Sequence, residues 1–268
     1  MARIEQEPAL TPVPFRGAGF DLHHVRWTAL ATFGALLVVW WLVTQYTNVS
    51  KLLLPSPGAV GAAAVEVIRS GELFHHIGAS LYRIGIGWLL GAVAGVMAGL
   101  LMGISSLVRS MGLPLVSAIF PIPKIALLPL LILWLGIGET SKIATIALGV
   151  FFPIVIATYS GVDNVPRNLI RMGQSFGLDL RAVIRKIVLP GALPGMLAGL
   201  RISASIALLL VVSAEMIGAN EGIGTFVLTA GNLMQMDKLI VGVATLSVLG
   251  LLIGALLTRI EKALLRWR

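Results

Sequence analysis

Gly173-Gln174-Ser175-Phe176-Gly177 fits the Gly-x-Ser-x-Gly pattern that places a serine nucleophile on a sharp turn. That chemistry needs a strand before the serine, a helix after it, and an acid and a histidine further along. All four histidines, His23, His24, His75 and His76, precede Ser175, so the later base is missing and the hydrolase reading fails. Neither His-His pair has a glutamate at metalloprotease spacing, so both read as solvated histidines and no metal site is expected. The stretch GIGETSK at 136–142 has the glycines of a phosphate loop but lacks its Gly-Lys-Ser/Thr ending, so this chain is not expected to bind ATP itself. Cysteine is absent, which removes disulfides and thiolate ligands.

Three ionisable residues interrupt long apolar runs: Lys124, Arg201 and Glu215. A charge at membrane depth is expensive, which makes such residues candidates for a pathway or an interface. Lys124 could lend positive potential to an anion route or cap carbonyls freed by neighbouring prolines. Glu215 reads as an outer hydrogen-bonding anchor or as a gate or subunit contact. Arg201, near the cytoplasmic end of its run, can snorkel to that face.

These charges are rare because the chain is made for lipid. Of 268 residues, 57% are hydrophobic and 12% charged, and mean hydropathy is +0.95. No ordinary soluble domain has that composition. The net charge of +8 would suggest nucleic acid in a soluble protein. Here the cations fall between apolar runs, so topology explains them and no nucleic-acid partner is expected.

About 20 apolar residues span a bilayer, and such runs lie near 27–46, 84–103, 141–160, 196–218 and 239–258. A sixth, 113–135, contains Pro121, Pro123, Lys124 and Pro129, which predicts a kinked span facing protein or water. Thirteen cations then fall on the side of the termini: Arg3, Arg16, Arg26, Arg109, Arg167, Arg171, Arg181, Arg185, Lys186, Arg259, Lys262, Arg266 and Arg268. Five fall opposite, Lys51, Arg69, Arg83, Lys142 and Lys238, so both termini are expected in the cytoplasm. The expected fold is an all-α membrane protein of about six transmembrane helices. It comprises a tail over 1–26 and one membrane domain over 27–268, with a cytoplasmic loop at about 161–195. After the turn Leu54-Pro55-Ser56-Pro57-Gly58, an amphipathic stretch from Val60 to about Phe74 is expected on the outer face.

In the second span, Gly87, Gly91, Gly95, Gly99 and Gly103 recur every four residues, a stripe that lets another helix approach closely. Packing within the subunit and a moving or intersubunit contact are both compatible with it. In the cytoplasmic loop, Leu169, Met172, Phe176, Leu180, Val183 and Ile187 follow three-and-four spacing opposite Arg167, Arg171, Gln174, Arg181 and Arg185. That pattern predicts a surface helix with its apolar face toward the membrane or a partner. Gly173 and Gly177 weaken it, predicting a break near Gly177 into two short helices, the second ended by Pro190.

Gly177, nine further residues, then Ile187, Val188, Leu189 and Pro190 resemble the cytoplasmic signature of bacterial ATP-binding-cassette importer permeases. Where the family pattern opens with Glu-Ala-Ala, this chain has Arg171, Met172 and Gly173. LLLPSPGAV, IPKIALLPLLILWLGIGETSK and LPGALPGMLAGLRI are similar to the sulfonate, taurine and nitrate importer permeases of the bacterial inner membrane. The resemblance implies a type I importer permease that is not an enzyme. It implies that two permease copies form the pathway, that two separate ATPases bind ATP and Mg, and that an external or lipid-anchored binding protein delivers substrate. The implied coupling loop includes Arg171, Gly173, Ser175, Phe176, Gly177, Leu178, Asp179, Leu180, Arg181, Ile187, Leu189 and Pro190. An aliphatic sulfonate or taurine is the implied substrate, ahead of nitrate, bicarbonate or a vitamin precursor. A self-contained channel or secondary transporter is the other class. It usually shows paired broken spans in repeated halves, which this sequence lacks.

Overall fold

The computed structural model describes residues 26–47, 50 and 52–266. The tail expected over 1–26 therefore lies, apart from Arg26, outside the described residues. The chain divides into two compact units, Met1–Asn48 and Val49–Arg268, a boundary inside the stretch read from sequence as one domain. In the first unit, α1 (Arg26–Tyr46) is a 21-residue apolar helix.

The second unit is helical throughout its described residues apart from turns and loops. Ser56 opens α2 (Pro57–Arg69): its hydroxyl accepts from the Ala59 amide, and Pro57 needs no partner in the first turn. Gly71, at φ 79°, then breaks the chain before α3 (Glu72–Ile104). Leu73 and Phe74 thus belong to α3, so the amphipathic outer helix ends at Arg69 and not near Phe74. The left-handed turn at Gly71 is the physical reason.

The predicted kinked span is α4 (Ser106–Ile119), a 3-10 turn at Lys124–Leu127, and α5 (Leu128–Leu135), bent by 87°. Pro121 and Pro123 cannot donate backbone hydrogen bonds, so the last carbonyls of α4 need other donors. The Lys124 ammonium supplies them, donating to the carbonyls of Ile119 (2.9 Å), Phe120 (3.0 Å) and Ile122 (2.6 Å). After α6 (Glu139–Asp163) come α7 (Arg167–Ser175) and α8 (Leu180–Val183), then α9 (Leu189–Gly218), α10 (Ile223–Asn232) and α11 (Met236–Leu264). Four helices are long and apolar enough to cross a membrane, and the bent pair makes a fifth. In the first unit Leu30–Tyr46 is an apolar helix shorter than these.

Pro190 does not end the second short helix. A π-turn over Ile184–Val188 joins α8 to α9, with the Leu189 amide donating to the Ile184 carbonyl five residues back. The wider turn leaves room for the proline ring. Leu180–Gly218 is consequently one continuous 39-residue helix.

At the centre, α6 lies between α3 and α9, with Ile84, Ala92, Ile146, Val150, Ile154, Ala207 and Val211 forming the core. The five glycines of α3 meet residues four apart on the parallel α6: Gly87 on Ile146, Gly91 on Val150, Gly95 on Ile154, Gly99 on Thr158 and Gly103 on Val162. A Cβ at Gly91 would lie 2.3 Å from Val150 Cγ2 and 2.4 Å from the Ala147 carbonyl oxygen. Only hydrogen fits there. On its other side α6 meets a second stripe, Gly191 against Val165, Gly195 against Gly161 and Gly199 against Ala157 on the antiparallel α9.

Candidate functional site

Two sites stand out at opposite ends of α9. At the C-terminal end, Glu215 is buried (1% exposed) on the last turn of the helix, and Arg83 of α3 is nearly as buried (3%). Arg83 Nη1 donates to Glu215 Oε1 at 2.7 Å and to the Glu221 carbonyl at 2.6 Å. Its Nε and Nη2 grip Glu139 of α6 in two parallel bonds of 2.5 and 2.7 Å. Such bidentate charge-assisted pairs are the strong ones.

Glu215 accepts further hydrogen bonds from the Ser80 hydroxyl, at 2.8 Å to Oε1 and 3.0 Å to Oε2, and from the Gly224 amide at 2.8 Å. Ser80 Oγ in turn accepts from the Ile223 amide at 2.9 Å. The loop after α9 folds over the carboxylate, and the sequence allows this because positions 222 and 224 are glycine. Gly222 has φ 127°, and a Cβ there would lie 2.3 Å from the Glu215 carboxyl carbon. Buried Lys142 stands beside the cluster with its ammonium on the Gly138 carbonyl at 2.9 Å. At the surface His75 Nε2 sits 3.0 Å from Glu221. That hydrogen bond from the imidazole holds the Glu221 carboxyl below the usual range.

The cluster ties α3, α6, α9 and the loop to α10 into one body. Of its members the sequence reading singled out only Glu215. Arg83 was counted among outer loop cations, yet the structure buries it inside α3. Its signal was register: Arg83 is four residues before Gly87, so the glycine period carried backward points it at α6. Lys142 likewise precedes Ile146 by four. The other depth candidates have their own partners. Arg201 pairs with Glu261 at 3.0 Å, and the Lys124 ammonium lies 4.8 Å from the Phe152 ring centroid.

Before the N-terminal end, α7 closes with two reversed bonds around Gly177 (φ 75°): Leu178 N to the Gly173 carbonyl at 3.1 Å, and Gly177 N to the Gln174 carbonyl at 2.9 Å. This is a Schellman turn, which requires a left-handed residue and explains the break at glycine. Asp179 then caps α8, accepting from the Ala182 amide at 3.0 Å. Beneath the turn Val165, Val183, Val188, Val162 and Ala192 form a small core, with Ile170, Leu178 and Ile187 against it. Gly173 is buried because the end of Ile187 occupies the space of its absent side chain.

The apolar stripe read from sequence is therefore not one face. The reversal at Gly177 separates it: Val183 and Ile187 turn inward, whereas Leu169, Met172, Phe176 and Leu180 are exposed, Phe176 by 80%. Arg171, Ser175 and Arg181 are exposed beside them, and Leu189 and Pro190 lie half-buried where α9 begins.

Fold and site together define an all-α, multi-pass membrane transport subunit with a folded segment protruding between two spans. Residues 91–266 match the family model described as the binding-protein-dependent transport system inner membrane component. The chain belongs to that family. It is 36% identical over 233 residues to the putative aliphatic sulfonates transport permease protein of Bacillus subtilis, covering 87% of this chain and 84% of the relative. It is 35% identical over 244 residues to the taurine transport system permease protein of Escherichia coli, covering 89% of each. The inward-facing MetNI methionine ABC transporter shares the fold, with a TM-score of 0.64 at 22% identity over 72% of this chain and 95% of that one. The protein is a permease subunit of an ATP-binding-cassette importer of the inner membrane. It is a transport subunit and not an enzyme, and it works with a separate ATPase and a substrate-binding protein.

Proposed function

We propose that two copies of this chain form the pathway of an importer for an aliphatic sulfonate or taurine, with one ATPase docked on each copy at α7, Gly177 and α8. The exposed side chains of that turn carry the reading. Leu169, Met172, Phe176 and Leu180 stand clear of the protein although the segment beneath them is well packed, and exposed apolar groups in such a patch mark a partner site. Continuity of the 39-residue helix supports transmission from this site to the outer face, since a rigid element passes on the motion of a docked subunit.

The ATPase subunits bind ATP and Mg, and this chain holds neither. Both termini and the docking turn lie in the cytoplasm, on the side of the greater number of cations. The substrate class rests on the names of the relatives. Lys124 adds positive potential to the broken span, and replacing it with Met slows anion uptake if that potential serves the route.

The test is ATP hydrolysis by the complex reconstituted with its loaded binding protein. Taurine or an alkanesulfonate is expected to stimulate hydrolysis. Stimulation by nitrate or bicarbonate alone would contradict the substrate assignment.

A further inference from the structure

On the docking reading above, α7 also specifies the partner's chemistry. Ile170 and Gly173 face the body of the protein, and at about 100° per residue the remaining positions fall into three arcs. Asn168 and Ser175 form the outward crest. Arg167, Arg171 and Gln174 lie on one flank, and Leu169, Met172 and Phe176 lie on nearly the opposite one, all of them exposed.

Among the described residues no ion pair engages Arg167, Arg171, Arg181, Arg185 or Lys186. The nearest acid in sequence, Asp179, spends its carboxylate on the Ala182 amide. Among the described residues the other two acids at this end pair elsewhere, Asp163 with Arg109 and Glu261 with Arg201. A flat lipid surface can reach one flank of such a ridge. A groove reaches both.

We infer that the ATPase presents to α7 a groove with one apolar wall, taking Met172 and Phe176, and one acidic wall with a carboxylate placed for Arg171. Arg171 is the exposed cation at the middle of the polar flank. A guanidinium pairs best with a planar carboxylate, which also fixes the register of the docked ridge.

The test measures the dissociation constant of the ATPase on the full permease in membranes of zwitterionic lipid, across a salt series. Arg171→Glu is expected to weaken association by about tenfold or more at low salt, and Arg171→Lys by less. One Asp→Lys or Glu→Lys change in the ATPase groove restores affinity in the Arg171→Glu background. Phe176→Asp separates the inference from the reading beneath it. Loss with Phe176→Asp but none with Arg171→Glu overturns the acidic wall and leaves docking intact. Loss with neither overturns both. Weakened binding to phosphatidylglycerol vesicles by Arg171→Glu, with ATPase affinity unchanged, assigns the arginine to lipid and overturns the inference.

Discussion

The two ends of α9 solve opposite problems. At its C-terminal end Glu215, Arg83, Glu139 and Ser80 saturate one another and the loop at 222–224. Before its N-terminal end, hydrogen bonds close the backbone turn at Gly177, but Leu169, Met172, Phe176 and Leu180 above it are left exposed. An ion pair out of water, as Arg83 and Glu215 form, is tolerable only when both members are satisfied, and removing one leaves an uncompensated charge. The exposed turn has no such constraint, because its groups remain hydrated until something docks. The C-terminal end of α9 thus holds α3, α6 and α9 together, and on the proposed docking the turn before its N-terminal end is completed by another chain.

Substitutions that separate stability from coupling sharpen this contrast. The largest effect is expected for Glu215→Ala, which takes from Arg83 one of its two carboxylates and should destabilise the solubilised permease by about 3–5 kcal/mol. Thermal unfolding in detergent reads it, and an unchanged melting temperature would show that the cluster holds nothing. Next comes Gly91→Ala, at about 1–3 kcal/mol, since the new methyl meets the Ala147 carbonyl, which cannot swing aside. Gly85→Ala on the same helix is its control. A Cβ there meets nothing within 4 Å, so the change should be neutral or stabilise by up to about 1 kcal/mol.

Gly177→Ala forces a methyl into the left-handed region and should cost about 1–2 kcal/mol locally. Its clearer signature is loss of ATP hydrolysis stimulated by the binding protein. Smallest in stability is Phe176→Ala, expected within about 0.5 kcal/mol of the parent, while stimulated hydrolysis falls. Equal losses of stability and coupling in this variant would erase the distinction between the two ends.

Much of this architecture was legible because lipid imposes strong regularities. Span lengths, the broken third span and the glycines of α3 all follow from composition and period. The partner stripe on α9 was not, because Pro190 and Pro194 interrupt it and its spacing reads as loop. Arg83 escaped because it precedes the apolar run by one residue, and charge counting treats such a residue as exposed. Only the register with Gly87 betrays its burial. Pro190 misled for another reason: a proline is a helix stop in isolation, but a π-turn lets the chain continue through it. The split of the stripe at Gly177 needed three dimensions, since periodicity carries no information about a left-handed turn that redirects the following helix.

Hydrogen exchange of the permease, alone and then with its ATPase bound, tests the contrast between the two ends most directly. New protection is expected over 167–181, with residues 80–83 and 211–224 already protected and unchanged. Protection that appears first at the outer cluster, or an unaltered cytoplasmic turn in the assembled complex, would contradict the account.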